Sequence, residues 1–226
     1  MSTSPARAEA PESSHGSLAY NLAGIAVLAL VLAVGLAYFI DQAGRSSRPA
    51  LPALTDGDPL IQTIAGRELA IPASWFRYGE QMKAGFATQV DLTFALDLAG
   101  GQVATPVEVM LVPRGRARAS STLLDAVYLH QFDEGTIGGV PGLVGKPLLP
   151  AEGYSGETVW YDALSPNPFV AKCMSPVEPK RPGQCLRTVH LPSGLAALIS
   201  FEATALPFWR RFDDEMALWL GQIGAL

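Results

Sequence analysis

Cysteine occurs twice and histidine three times in the 226 residues of this chain. Cys173 and Cys185 are not in the C-x-x-C spacing of a zinc ribbon or a dithiol redox centre. A zinc site would have to recruit both His130 and His190 from distant segments, so neither a metal nor any other cofactor is expected. Charged residues make up only 16% of the chain and the net charge is −5. That balance carries no basic stripe for nucleic acid. No G-x-S-x-G elbow is present; Gly153-Tyr154-Ser155-Gly156 lacks its final spacing. Gly138-Gly139-x-x-Gly142 neither follows a strand nor opens a helix, as a phosphate loop must. Glu134, Glu152, Glu157 and Asp162 form no pair at a spacing that suggests glycoside or metal chemistry. His130 near Asp125 or Asp133, and His190, are the only openings for acid–base catalysis after residue 18, and no nucleophile motif accompanies them. No internal repeat is visible.

What the chain does have is an uncharged run, Ala19 to Ile40, built mostly of Leu, Ala, Val and Ile. As a helix it would be roughly 33 Å long, the thickness of a bilayer hydrocarbon core. Tyr20 stands at one end and Tyr38 and Phe39 at the other, where amphipathic rings favour the headgroup level. The run lacks the polar face of a buried core helix. Asp41, Gln42, Ala43, Gly44 and Arg45 make a poor signal-peptidase site, so an uncleaved anchor is expected. Ala29, Ala33 and Ala37 share one face, but without a GxxxG they read as filler rather than a helix-pairing seam.

Orientation draws on opposed signals. Arg7 precedes the run while Arg45 and Arg48 follow it, which taken alone favours a cytoplasmic C-terminus. A short tail before one apolar segment and a long domain is the layout of a signal anchor. A bond between the two cysteines would also need an oxidising compartment. The reading adopted puts the N-terminus in the cytoplasm and the domain on the periplasmic or extracellular side of the cell inner membrane.

Residues 1–18 are small, polar and expected to be disordered. Residues 41–62 carry Pro49, Pro52 and Pro59 with Gly57 and read as an extended linker. Residues 63–226 then form one domain, long enough for a sizeable core. Arg67–Ile71 reads as a strand ended by Pro72, with Trp75 and Phe76 buried after the turn. Gln89–Leu98 alternates, with Val90, Leu92, Phe94, Leu96 and Leu98 on one face. Val107–Val112 completes a hairpin with it. Ser120 or Ser121 is expected to cap a helix running to about Phe132. Further strands are expected near 143–146, 158–161, 169–174, 185–191 and 195–202. A last helix, about Pro207 to Ile223, places Phe208, Phe212, Met216, Trp219, Leu220 and Ile223 on one stripe. Arg210 with Asp214 and Arg211 with Glu215 are expected i,i+4 pairs on its outer face. The order predicts an α+β fold with an antiparallel sheet and the closing helix packed on it.

That order, and the opening segment Leu69-Ala70-Ile71-Pro72-Ala73-Ser74-Trp75, resembles PsbP-like α/β/α sandwich domains. The resemblance spans 63–223 in element order. It implies a sandwich fold and, since that family mixes mostly non-enzymatic binding and assembly roles, no single function.

Two features of the domain stand out. Cys173 and Cys185 flank a loop holding Pro176, Pro179, Pro182 and Gly183, and a disulfide between them is expected, with Cα atoms about 4.4–6.8 Å apart. Two free buried thiols are the rival reading, tied to the opposite membrane orientation. Arg114, Arg116 and Arg118 form a basic cluster, read as a solvated loop or as a contact for anionic lipid or an acidic partner. The functional expectation is a membrane-anchored binding or scaffolding domain with an unidentified protein partner and no catalysis. A lipid or small-ligand carrier with a pocket under Trp209 and Trp219 is the second reading, and a hydrolase using His130 or His190 the third.

Overall fold

A computed structural model describes residues 15–46, 50–101, 104–150, 153, 155–176, 178 and 180–226. The first 14 residues of the expected tail, Pro49 of the expected linker, Glu152 and Pro179 lie outside the described residues. The chain divides into two units, 1–50 and 51–226.

The first unit holds helix α1, His15–Ser46, which exceeds the apolar run at both ends. Its segment Asn21–Gln42 has a mean hydropathy of 2.6 and is long and apolar enough to cross a membrane.

The second unit is α+β. Seven antiparallel strands form its main sheet: β4 (Val90–Leu96), β5 (Thr105–Pro113), β6 (Val144–Pro147), β7 (Glu157–Tyr161), β8 (Val170–Met174), β9 (Gln184–His190) and β10 (Leu195–Glu202). Their spatial order is β4-β5-β10-β9-β8-β7-β6. Strands 4 and 5 pair as the expected hairpin, with Phe94 opposite Val107. The alternation of β4 is realised: Val90, Leu92, Phe94 and Leu96 are fully buried. So are Leu69, Ile71 and Trp75, while Phe76 is 9% exposed.

A smaller sheet orders β2-β1-β3, from β1 (Pro59–Ile64), β2 (Arg67–Pro72) and β3 (Gly85–Phe86). Strand β1 falls partly inside the stretch read as linker. Pro59 and Gly57 had signalled loop, but Pro59 is the first residue of the strand, where a missing N–H is tolerated. Residues 53–56 are also docked. The Ala53 carbonyl accepts from Trp75 Nε1 at 3.1 Å, and Asp56 accepts from the Ala53 N–H and from Ser74.

Helix α3, Trp209–Gln222, packs its stripe on one face of the main sheet. Phe212, Met216, Trp219, Leu220 and Ile223 are buried. Phe208 is 40% exposed, because the chain around Pro207 forms a 3₁₀ turn over Ala203–Phe208 and the α-helix begins only at Trp209. Arg211 pairs with Glu215 at 3.7 Å, whereas Arg210 lies over the Trp209 ring at 4.4 Å.

Helix α2, Ser120–Ala126, covers part of the opposite face, where Leu124 meets Leu148, Val159 and Val170. It is shorter than the run to Phe132 that the sequence suggested. Val127 leaves the helical region, and a 3₁₀ turn follows over Tyr128–His130. The break lets the Gln131 carbonyl accept from Leu149 N–H and lets Phe132 bridge to Leu148. Tertiary pairing thus overrides local helical periodicity.

Candidate functional site

The site arises where two strands part. β8 and β9 pair from Lys172 opposite Leu186 to Met174 opposite Gln184. Beyond Leu186, β9 continues to His190 and α2 lies alongside. The Thr188 N–H donates to Ser120 Oγ at 2.8 Å. Ser120 therefore does not cap α2; its buried hydroxyl serves a strand N–H that would otherwise be unpaired. Ala119 holds the N-cap position and makes no side-chain cap bond.

A cavity of about 250 Å³ opens at this parting. Arg114, Ser121, Thr122, Asn167, Thr188 and His190 line it together with Ser120 and Arg187, and among the described residues no lining side chain is a carboxylate. Asp125 belongs to the adjoining groove. Donors dominate the wall: guanidinium, hydroxyl and amide groups.

His190 fixes Arg114. Its Nε2 is 2.8 Å from the Ala117 carbonyl oxygen, and its Nδ1 is 3.1 Å from Arg114 Nε. A carbonyl can only accept and an arginine nitrogen can only donate. With an acceptor facing Nε2 and a donor facing Nδ1, the ring donates from Nε2 to the Ala117 carbonyl and accepts at Nδ1 from Arg114. Arg114 Nε is thereby committed, and the rest of its guanidinium is held at the cavity.

Arg187 sits at the back of the same strand segment. Its guanidinium turns toward α3, 2.9 Å from Asp213 Oδ2, with its centre 4.1 Å from the centroid of the Phe169 ring. The side chain is 9% exposed, and among the described residues its Nη1 has no partner. Burial lowers its pKa from the ordinary value, and the Asp213 charge and hydrogen bond oppose that shift. The expected strand over 185–191 contained a usable signal here. Cys185, Arg187 and Val189 alternate on the inward face, so an arginine occupies a core position.

The expected site residues separate. Cys173 and Cys185 stand directly opposite on β8 and β9 and form a disulfide with Cα atoms 3.9 Å apart. That is shorter than the 4.4–6.8 Å expected, and shorter also than the roughly 4.5 Å of an ordinary facing antiparallel pair. The sulfurs are thus unavailable as zinc ligands. Of the arginine cluster, Arg114 joins the cavity, Arg116 reaches the Thr88 carbonyl at 3.4 Å, and Arg118 is exposed. His130 lies exposed in the turn after α2, on a different element from His190. Neither ring has a serine or cysteine as its hydrogen-bond partner among the described residues. Trp219 is packed into the core instead: it is 2% exposed, stacked on Phe94 at 5.1 Å and against Trp75 at 4.5 Å. Trp209 donates to the Pro141 carbonyl at 3.0 Å.

No family model and no curated protein matches the chain. Among solved structures, the iron-regulated outer membrane lipoprotein FrpD of Neisseria meningitidis is similar over 68% of this chain and 84% of that one, at 11% identity and a TM-score of 0.42. At that level the likeness carries neither fold nor function across.

Proposed function

We propose that this protein is a single-pass inner-membrane protein whose C-terminal domain, on the periplasmic or extracellular side, binds or scaffolds a protein partner and performs no chemistry of its own. The observation that carries the binding reading is the state of His190. Its ring is used on both sides to hold Arg114 at a donor-lined cavity, a positioning role rather than that of a general base. The apolar helix supports attachment to a bilayer. The disulfide supports an oxidising compartment for the domain. The solid packing of Trp219 against Phe94 and Trp75 weighs against a carrier pocket between sheet and helix. The test is capture of partners on the intact, detergent-solubilised protein after crosslinking in cells. Recovery of the same partner by wild type, and its loss on charge reversal at Arg114, supports the reading. Hydrolysis of ester or peptide substrates that disappears with His190→Ala would overturn it.

A further inference from the structure

We infer that the cleft between β8, β9 and the start of α2 binds a phosphate group, presented either by a lipid headgroup or by a soluble phosphate. This rests on the binding reading and gives it a ligand class.

The chemistry of the wall selects an anion. Arg114 offers guanidinium N–H groups, Ser121 and Thr122 offer hydroxyls, and Asn167 offers an amide. Among the described residues none of the lining side chains is negative, so none of them repels a phosphate. Asp213 is engaged with Arg187 from the α3 side, and Asp125 belongs to the adjoining groove. At about 250 Å³ the cavity has room for one tetrahedral anion with bound water.

Preorganisation distinguishes this cleft from an ordinary basic surface. A free arginine loses rotamer entropy on gripping an anion, whereas Arg114 is already held through Nε by His190. His190 is itself held by the Ala117 carbonyl. Arg114 and Ala117 bracket the turn of the arginine cluster, so the loop and strand β9 brace one another. Arg116 and Arg118 lie outside the cleft and add only a diffuse positive field.

The experiment uses the full-length chain in maltoside micelles, at fixed ionic strength with chloride as the balancing anion. Inorganic phosphate is titrated by calorimetry, and a short-chain phosphatidylglycerol is titrated separately. Saturable binding that Arg114→Gln weakens about tenfold, as expected for loss of a charge-assisted contact, supports the inference. Arg118→Gln should bind like wild type. His190→Gln, which keeps a donor for Ala117 and an acceptor for Arg114, should retain binding that His190→Ala loses. Should Arg114→Gln fold poorly, Asn167→Ala on the exposed loop serves instead, with a smaller loss. Binding of inorganic phosphate identifies a soluble source, and binding of the lipid alone identifies a headgroup. No saturation by either probe, or binding indifferent to Arg114 and Asn167, overturns the inference while leaving partner capture and membrane topology intact as separate results.

Discussion

Arg187 on β9 and Asp213 on α3 meet at 2.9 Å and tie the closing helix to the centre of the sheet. The pair is lopsided. The arginine is 9% exposed and the aspartate 52%, so the cost of removing water falls almost wholly on the cation. Removing the carboxylate with Asp213→Ala leaves a buried guanidinium without its counter-charge, over the Phe169 ring, and should destabilise the domain by about 3 kcal/mol. Arg187→Met keeps the bulk, removes the buried charge and leaves Asp213 free to be solvated. It should cost under about 1 kcal/mol or stabilise. Denaturant melts of the two variants check the asymmetry; equal losses would show that the pair is held by solvent-exposed attraction alone.

The aromatic seam between sheet and α3 should carry a large share of the stability. Phe212 is fully buried, 4.7 Å from Phe201 between ring centroids and edge-on to Phe169. Phe212→Ala should cost about 3–5 kcal/mol and Leu220→Ala about 2–5 kcal/mol. Losses within about 0.5 kcal/mol would mean that α3 is peripheral to folding.

How far these positions were legible depended on whether the signal was local. The stripe of α3 and the alternation of β4 repeat within one element, so Phe212, Trp219 and Phe94 were readable from spacing. Strand β1 was not, because Pro59 and Gly57 carry the same punctuation whether they start a strand or continue a linker. The cleft depends on residues 68 or more apart in sequence, Ser120 with Thr188 and His190 with Ala117 and Arg114. Ser120 offered an equally good local explanation as a helix cap, and no pattern within α2 marks its hydroxyl as a partner for β9. The arginine cluster was visible as charge, but which of its members is braced is a fact of the third dimension.

Asp56 gives a pH dependence whose sign follows from its contacts. Its carboxylate accepts from the Ala53 N–H at 3.0 Å and from Ser74 Oγ at 2.5 Å, and these hold its pKa below the usual carboxylate value. Such a group stabilises the fold above its unfolded pKa, and that contribution is lost as pH falls through the lower folded value. Asp56→Asn should therefore lower the melting temperature at neutral pH, with the gap to wild type closing as the solution is acidified below pH ~4. A gap that persists unchanged at acid pH would assign the effect to the side chain's shape rather than its charge.

Gly145 is a test of close packing at the edge of the sheet. A Cβ there would lie 2.8 Å from the Ile137 carbonyl oxygen and 2.8 Å from the Trp160 ring. That carbonyl cannot retreat cheaply, because its own residue is held by the Ile137 N–H donating to the Gly145 carbonyl at 2.8 Å. Gly145→Ala should cost about 1–3 kcal/mol by overpacking. The readout is a denaturant midpoint shift at unchanged slope.

The disulfide joins compartment and stability in one experiment. Cys173 and Cys185 are 12 apart in sequence and face each other across β8 and β9, so their bond closes a short loop in the unfolded chain. The loop-entropy relation puts its contribution at about 3 kcal/mol. Cys173→Ser should lower the melting temperature while leaving phosphate titration unchanged, because the cleft lies beyond the paired part of β8 and β9 at Thr188 and His190. Both thiols should resist labelling in protein unfolded without reductant. A reporter active only outside the cytoplasm should be active when fused after Leu226. Two reactive thiols per chain together with an inactive reporter would reverse the orientation. An active reporter with reactive thiols would keep the orientation and remove the disulfide from the argument, which separates the two claims that the cysteine pair now supports together.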